Sequence, residues 1–198
     1  MPLGARTPVT TFLLVAIAAV FLLETLRGGS NDQRVLLALG ADYPLYVQQG
    51  QYWRLVTSMF LHIGVLHLLV NGWALYQLGG LFELLLGSGR LLLVYFVSGI
   101  VGSIASNLFT RSLSAGASGA IFGVMGALIA FLMKRRGMLT PQAKSLLMQL
   151  LLWAGINVFL GYKITGIDNA AHLGGCAAGL VIGFFLNERP RYEPVPGL

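Results

Sequence analysis

Apolar residues along this chain gather into six long runs separated by short polar breaks. The runs cover 9–26, 59–81, 91–109, 117–133, 145–162 and 169–187. A helix needs roughly 20 mostly apolar residues to cross a bilayer, so the pattern predicts an all-α membrane protein, a bundle of six transmembrane helices. The one long connection, 27–57, mixes "RVLLAL", "YPLYV" and "GQYWRLV" with polar residues. It is too apolar for a disordered loop and too interrupted for a span. Short amphipathic pieces in the membrane interface fit it best. The first run follows Arg6 and resembles a signal peptide, but no small-residue cleavage site precedes Arg27, so it reads as a retained helix.

Composition supports the membrane assignment. The 198 residues are 56% hydrophobic and 10% charged, whereas a soluble domain carries about 25% charged residues. The single Cys176 leaves no internal disulfide framework. A net charge of +6 does not point to nucleic acid, because the basic residues are scattered or sit at the ends of runs. They report orientation instead. With the N-terminus inside, that face holds Arg6, Arg90, Lys134, Arg135, Arg136, Lys144, Arg189 and Arg191. The outer face then holds Arg27, Arg34, Arg54, Arg111 and Lys163. The expected organisation is a cytoplasmic tail at 1–8, a membrane domain at 9–188 and a cytoplasmic tail at 189–198. Without an organelle-targeting presequence, the expected location is a prokaryotic plasma membrane.

Polar side chains inside spans are costly, and by default they mark function. Three places stand out: "HLLVN" with His67 and Asn71, "GASG" around Ser118, and "AHLGG" with His172. His67 to Glu83, Ser118 to Lys134 and His172 to Glu188 are each 16 positions apart, about 24 Å of helix at 1.5 Å per residue. Counted from those charges, the three groups share one layer below the outer surface. A serine hydroxyl becomes a nucleophile when a neighbouring base takes its proton, and histidine is the usual base near neutral pH. Acyl transfer also needs donors aimed at the developing oxyanion. His67 and Asn71 lie one helical turn apart and face one spot, while the start of a helix at Ser118 offers unpaired backbone N–H groups. Small residues supply the close approach: Gly175, Gly179 and Gly183 on the last run, and Gly116, Gly119, Gly123 and Gly126 around the fourth.

At these residues the sequence resembles the rhomboid intramembrane serine proteases. "GASG", "HLLVN", "AHLGGCAAG", "YWR" with Trp53 and Arg54, and "ELLLGSGR" starting at Glu83 occur in the family's order. The likeness spans roughly residues 9–187. It implies a six-helix bundle with a water-filled cavity open to the outside. Ser118 would be the nucleophile and His172 the general base, a dyad without a buried carboxylate. His67, Asn71 and the Ser118 backbone N–H would form the oxyanion hole. Gly116, Gly119, Gly175, Gly179, Trp53, Arg54 and Glu83 would support them. Substrates would be single-span membrane proteins cut near the outer end of their helix, reached through the long first loop and the fifth run. Phe122 stands where many members carry tyrosine; its ring can stack on His172 but offers no hydroxyl.

Plainer readings apply elsewhere. Trp53 and Arg54 suit interface anchoring with headgroup contact, and Glu83 is either a tie or a boundary charge. His62, about 140° around a helix from His67, reads as structural, bonded to loop backbone. Asn157 and Cys176 read as packing residues, Met125 and Met133 as apolar fillers. A zinc site from His62, His67 and His172 would need the first two to converge, and no His-Glu-x-x-His occurs. Neither a metal nor another cofactor is expected. A transporter would more often show acidic residues within spans and an inverted repeat, but Asp32, Asp42 and Asp168 fall in loops or at a span edge. The same placement disfavours an aspartyl protease. The remaining alternative is a catalytically inactive rhomboid-like protein that binds membrane clients.

Overall fold

The computed structural model describes residues 7–187, so residues 1–6 of the expected tail at 1–8, the whole tail at 189–198 and the marker Glu188 lie outside the described residues. The described chain is helical throughout, with one isolated backbone bridge between Asp42 and Ser114. In order come α1 (Pro8–Leu26), α2 (Gln33–Leu39), α3 (Pro44–Gln48), α4 (Arg54–Thr57), a 3-10 turn (Ser58–Phe60) and α5 (Gly64–Ala74). A π turn (Leu75–Gly79) then leads directly into α6 (Gly80–Leu86). Next come α7 (Ser88–Phe109), α8 (Ser118–Lys134), a 3-10 turn (Arg136–Met138), α9 (Pro141–Lys163) and α10 (Asn169–Phe185).

Four of these stretches are long and apolar enough to cross a bilayer: Pro8–Leu26, Gly64–Leu86, Ser88–Phe109 and Pro141–Lys163. The other two, α8 and α10, have 17 residues each. Of these α8 is the inner helix, while α10 buries its glycine face and His172 and exposes Val181, Phe184 and Phe185. Every residue of α8 from Gly119 to Leu132 is buried, so α8 forms the axis around which α10 and α7 pack most closely. A helix apolar on all sides is stable in such a position. By contrast α9 buries only Leu150 and turns Leu152, Trp153 and Phe159 outward. The peripheral helices expose apolar side chains on the faces turned away from the bundle, as lipid contact requires.

Local chemistry sets the helix ends. Asp32 caps α2 by accepting the Arg34 N–H at 2.8 Å, Thr140 caps α9 ahead of Pro141, and Asp168 caps α10 through the Ala171 N–H at 2.9 Å. Side-chain caps of this kind satisfy otherwise orphaned first-turn donors. The short helices α2, α3 and α4 bear out broken helical pieces in the first loop.

The second run differs from its prediction. Its helix begins at Gly64 rather than at residue 59, because Met59 belongs to the 3-10 turn and residues 61–63 are extended or bent. It also continues past residue 81 to Leu86. Glu83 therefore lies inside a helix, 3% exposed, and is a tie rather than a boundary charge. Its carboxylate accepts the backbone N–H of Val9 (2.9 Å) and Thr10 (2.8 Å), and the hydroxyls of Thr10 (2.7 Å) and Ser88 (2.7 Å). One side chain thus clamps the first turn of α1 to the α6–α7 corner. Removing it leaves four donors without their acceptor, and each hydrogen bond to a charged group contributes about 1.5–3 kcal/mol. Glu83→Ala is expected to lower unfolding free energy in detergent by about 3 kcal/mol, with Glu83→Gln retaining part of it; titration by denaturing detergent reads the difference.

Arg54 is likewise internal. It is 6% exposed and donates to the carbonyls of Leu37 (2.8 Å) and Ala41 (2.9 Å) and to Gln51 Oε1 (2.8 Å). Its guanidinium lies 4.6 Å from the ring centres of both Tyr46 and Trp53. Headgroup contact by Arg54 is corrected: the planar fork satisfies carbonyls left open by the ends of short helices. Trp53, half exposed, packs on it.

Candidate active site

The loop between α7 and α8 and the first turn of α8 hold the candidate nucleophile. Gly116, at φ +138°, turns the chain where a side chain would be strained. Its amide donates to the Ser58 carbonyl at 2.9 Å. A Cβ on Gly116 would come 2.7 Å from His67 Cε1 and 2.9 Å from Nε2, so glycine here admits the His67 ring. Ser118 follows as the first residue of α8, where backbone amides lack helical acceptors.

His172 enters from α10. Its Nε2 lies 2.9 Å from Ser118 Oγ, and its ring stacks on Phe122, centroid to centroid 4.2 Å with planes 6° apart. The stacking expected of Phe122 is present. His172 is 7% exposed, and its Nδ1 is buried with no hydrogen-bond partner. The ring is thus held by the stack and by Ser118 rather than by a carboxylate.

The close approach of α10 to α8 is a matter of missing side chains. A Cβ on Gly175 would fall 2.0 Å from the Gly119 carbonyl oxygen, and one on Gly179 would fall 1.9 Å from that of Gly123. A Cβ on Gly183 would meet the Ala127 oxygen at 2.3 Å. The glycine face read from the sequence is the α8–α10 contact. Gly119 contributes by facing Ala171, one residue before His172.

Ser118, His172, His67, Asn71, Phe122 and Asn157 border one cavity of about 580 Å³. The residues grouped by the depth argument border one cavity, although its marker Glu83 is internal. Asn71 Nδ2 donates to the His67 carbonyl at 2.9 Å, which leaves its second amide hydrogen free, since a carboxamide carries two. Asn157, read from the sequence as a packing hydrogen bond, makes one within its own helix. Its Nδ2 bonds to Trp153 O one turn back on α9 (2.8 Å), and the residue borders the cavity.

His62 is fully buried and bonded to the Phe60 carbonyl through Nδ1 (3.2 Å), the structural role expected. The helical angle used for it does not apply, because His62 precedes the helix and its ring lies 5.2 Å from that of His67. Among the described residues no group of three His, Cys, Asp or Glu is arranged to hold a metal ion.

Sequence reasoning passed over a polar frame behind the loop that leads to Ser118. Asp42 exchanges backbone hydrogen bonds with Ser114 (3.0 and 2.9 Å), and its carboxylate accepts both contacts from Asn107 Nδ2 (2.8 and 2.7 Å). Burial pushes the Asp42 carboxyl up to about 6, against the Asn107 hydrogen bonds that hold it down. Asp168 accepts the hydroxyls of Ser106 and Ser114. These residues pin the loop carrying Ser118. The available signal was the clustering of small polar residues at run ends. Glu24 was also missed, and its signal was plainer, an acid within an apolar run.

Residues 49–189 match the family model described as Rhomboid domain. The chain is 42% identical over 180 residues to "Rhomboid protease GluP" of Bacillus subtilis (strain 168), covering 90% of this chain and 34% of that protein. YdcA, a rhomboid relative from the same organism, is 34% identical over 189 residues, 92% of this chain and 90% of its own length. "RHOMBOID-like protein 1" of Arabidopsis thaliana is 38% identical over 152 residues, 76% of this chain and 39% of that protein. The chain belongs to the rhomboid family and is an integral membrane protein. The chain spans about a third of the length of GluP.

Proposed function

We propose that this rhomboid is an intramembrane serine protease that cuts membrane-protein helices with a Ser118–His172 dyad. The observation that carries the proposal is the 2.9 Å contact between Ser118 Oγ and His172 Nε2, made inside a cavity bordered by His67 and Asn71. As the Ser118 oxygen forms a bond to the scissile carbonyl carbon, its proton passes to His172 Nε2. The carbonyl oxygen takes the negative charge within reach of the Ser118 amide, His67 and the free Asn71 hydrogen. Collapse of this intermediate breaks the carbon–nitrogen bond, and His172 returns the proton to the leaving amine. Water then attacks the acyl-enzyme with His172 again as base. The stacked Phe122 ring keeps the imidazole plane fixed through both steps.

The finer parts of the reading follow from the same arrangement. The polar layer sits toward the outer end of the bundle, so cleavage falls near the outer membrane face, on single-span substrates. All six apolar stretches cross the membrane, with α8 and α10 as the short spans, both termini are cytoplasmic, and the membrane is a prokaryotic plasma membrane. The thinly packed α9 and the first loop flank the substrate's lateral path.

Labelling with a serine-reactive fluorophosphonate tests the core of this. Folded wild-type protein in detergent is expected to label, and Ser118→Ala and His172→Ala are expected not to. Equal labelling of wild type and Ser118→Ala places the reactive group elsewhere. A folded wild type that neither labels nor cuts a reporter helix favours an inactive, client-binding rhomboid.

A further inference from the structure

Glu24 is the one acidic side chain buried in α1 whose role the proposed chemistry leaves open. It is fully buried, and its Oε1 accepts the backbone N–H of His62 at 2.9 Å, across 38 positions of sequence. The receiving segment has no regular structure of its own: it lies between the Ser58–Phe60 turn and the start of α5 at Gly64. The very next amide, that of Ile63, donates to His67 Nδ1 at 3.3 Å.

That donation fixes a proton. A neutral imidazole has one N–H and one acceptor nitrogen, and which is which follows from the bond each makes. With Nδ1 accepting, the hydrogen of neutral His67 sits on Nε2. Of the two ring nitrogens, Nε2 is the one nearer the loop of Ser118: it lies 2.9 Å from where a Gly116 side chain would begin, against 3.8 Å for Nδ1. The opposite tautomer would present a lone pair to a developing oxyanion and repel it.

We propose that Glu24 is a positioning residue for the oxyanion hole: by tethering the His62 amide it keeps the Ile63 N–H on His67 Nδ1, and so keeps the His67 proton on the cavity side. This rests on the reading of His67 as an oxyanion donor. Glu24 itself touches no substrate. It acts through two successive peptide groups of a non-helical stretch.

The test is the tautomer, read by nitrogen NMR of the full chain in micelles with 15N-labelled histidine. There are three histidines, and spectra of His67→Gln and His172→Ala assign them. Wild-type His67 is expected to be neutral with its proton on Nε2. Glu24→Ala is expected to mix the two tautomers and to lower kcat about tenfold with KM little changed, less than the 10²–10³ lost on deleting an oxyanion donor outright. The reporter is a single-span helix with a fluorophore and quencher flanking an alanine- and glycine-rich outer end. Glu24→Gln keeps an oxygen acceptor for the His62 amide and is expected to restore both readouts. Ile63→Pro deletes the donating N–H while leaving Glu24 in place, and is expected to release the tautomer as Glu24→Ala does; Ile63 has φ −84°, close to proline's range.

A wild-type proton on Nδ1 overturns the inference, and so does Glu24→Ala with the wild-type tautomer and kcat. A Glu24→Gln variant that behaves as the alanine variant overturns it as well. Should Glu24→Ala fail to fold, the wild-type and Ile63→Pro spectra decide. Absence of both labelling and cleavage in the wild type would defeat the protease reading and the oxyanion role with it, while the imidazole spectrum would still judge whether Glu24 sets the His67 tautomer.

Discussion

In proteoliposomes carrying a single-span reporter helix, His172→Ala is expected to slow cleavage about 10⁴-fold or more, the range in which removal of a catalytic base falls. The folded state should hardly notice. His172 makes one side-chain hydrogen bond, to Ser118, and one ring stack, to Phe122, while its Nδ1 has no partner. Thermal unfolding of the variant should therefore stay close to wild type, which separates lost chemistry from lost structure. Ser118→Ala should fall by a similar factor, and the double variant by no more than either, because the two groups act as a unit. Phe122→Leu removes a stacking contact worth about 0.5–1.5 kcal/mol. It should cost about tenfold at most, read in kcat. Similar rates in wild type and His172→Ala would remove His172 from the reaction.

The second large effect is expected at a residue with no side chain. Gly175 lies three residues beyond His172 on α10, and a Cβ there would sit 2.0 Å from the Gly119 carbonyl oxygen. Backbone cannot yield as the end of a side chain can, so Gly175→Ala must lift α10 away from α8 by about 1 Å or more. A displacement of that size at a reacting pair costs about 10²-fold in rate. The Ser118–His172 distance is the first casualty, because Gly119 and Ser118 are neighbours. Gly179→Val, one turn further, should be harsher on stability, with overpacking of about 3 kcal/mol. Fluorophosphonate labelling rates and unfolding by denaturing detergent measure the two separately. Wild-type labelling in Gly175→Ala would mean that the helices tolerate separation.

Much of this architecture was legible because hydropathy and small-residue spacing report on depth and closeness, which are sequence-local. The apolar runs match the long helices within a few residues, and the glycines at 175, 179 and 183 named the tightest contact directly. What apolarity does not report is conformation. Residues 59–63 are as apolar as a span, yet form a turn and an extended stretch that delivers the Ile63 amide to His67. Nor does charge report its partner. Arg54 reads as an interface charge and Glu83 as either a tie or a boundary charge, because the groups that satisfy them come from distant segments: carbonyls at 37 and 41, amides at 9 and 10. Asn157 shows the same limit from the other side, since its amide closes on its own helix. Ser118 and His172 were readable together because their chemistry is meaningful only as a pair; Glu24 had no such companion in sequence.

The π turn at Leu75–Gly79 sets the phase of the second apolar stretch. Asn71 and Glu83 are twelve residues apart, which on an unbroken α-helix would put them about 120° out of line. One extra residue accommodated in the wide turn takes back about 100°. Both side chains then face inward on one side of the rod, one toward the cavity and one toward α1, and both are nearly fully buried. A single helix can therefore serve two unrelated tasks at different depths without twisting between them. The two tasks are mechanically independent only as long as the wide turn keeps its count.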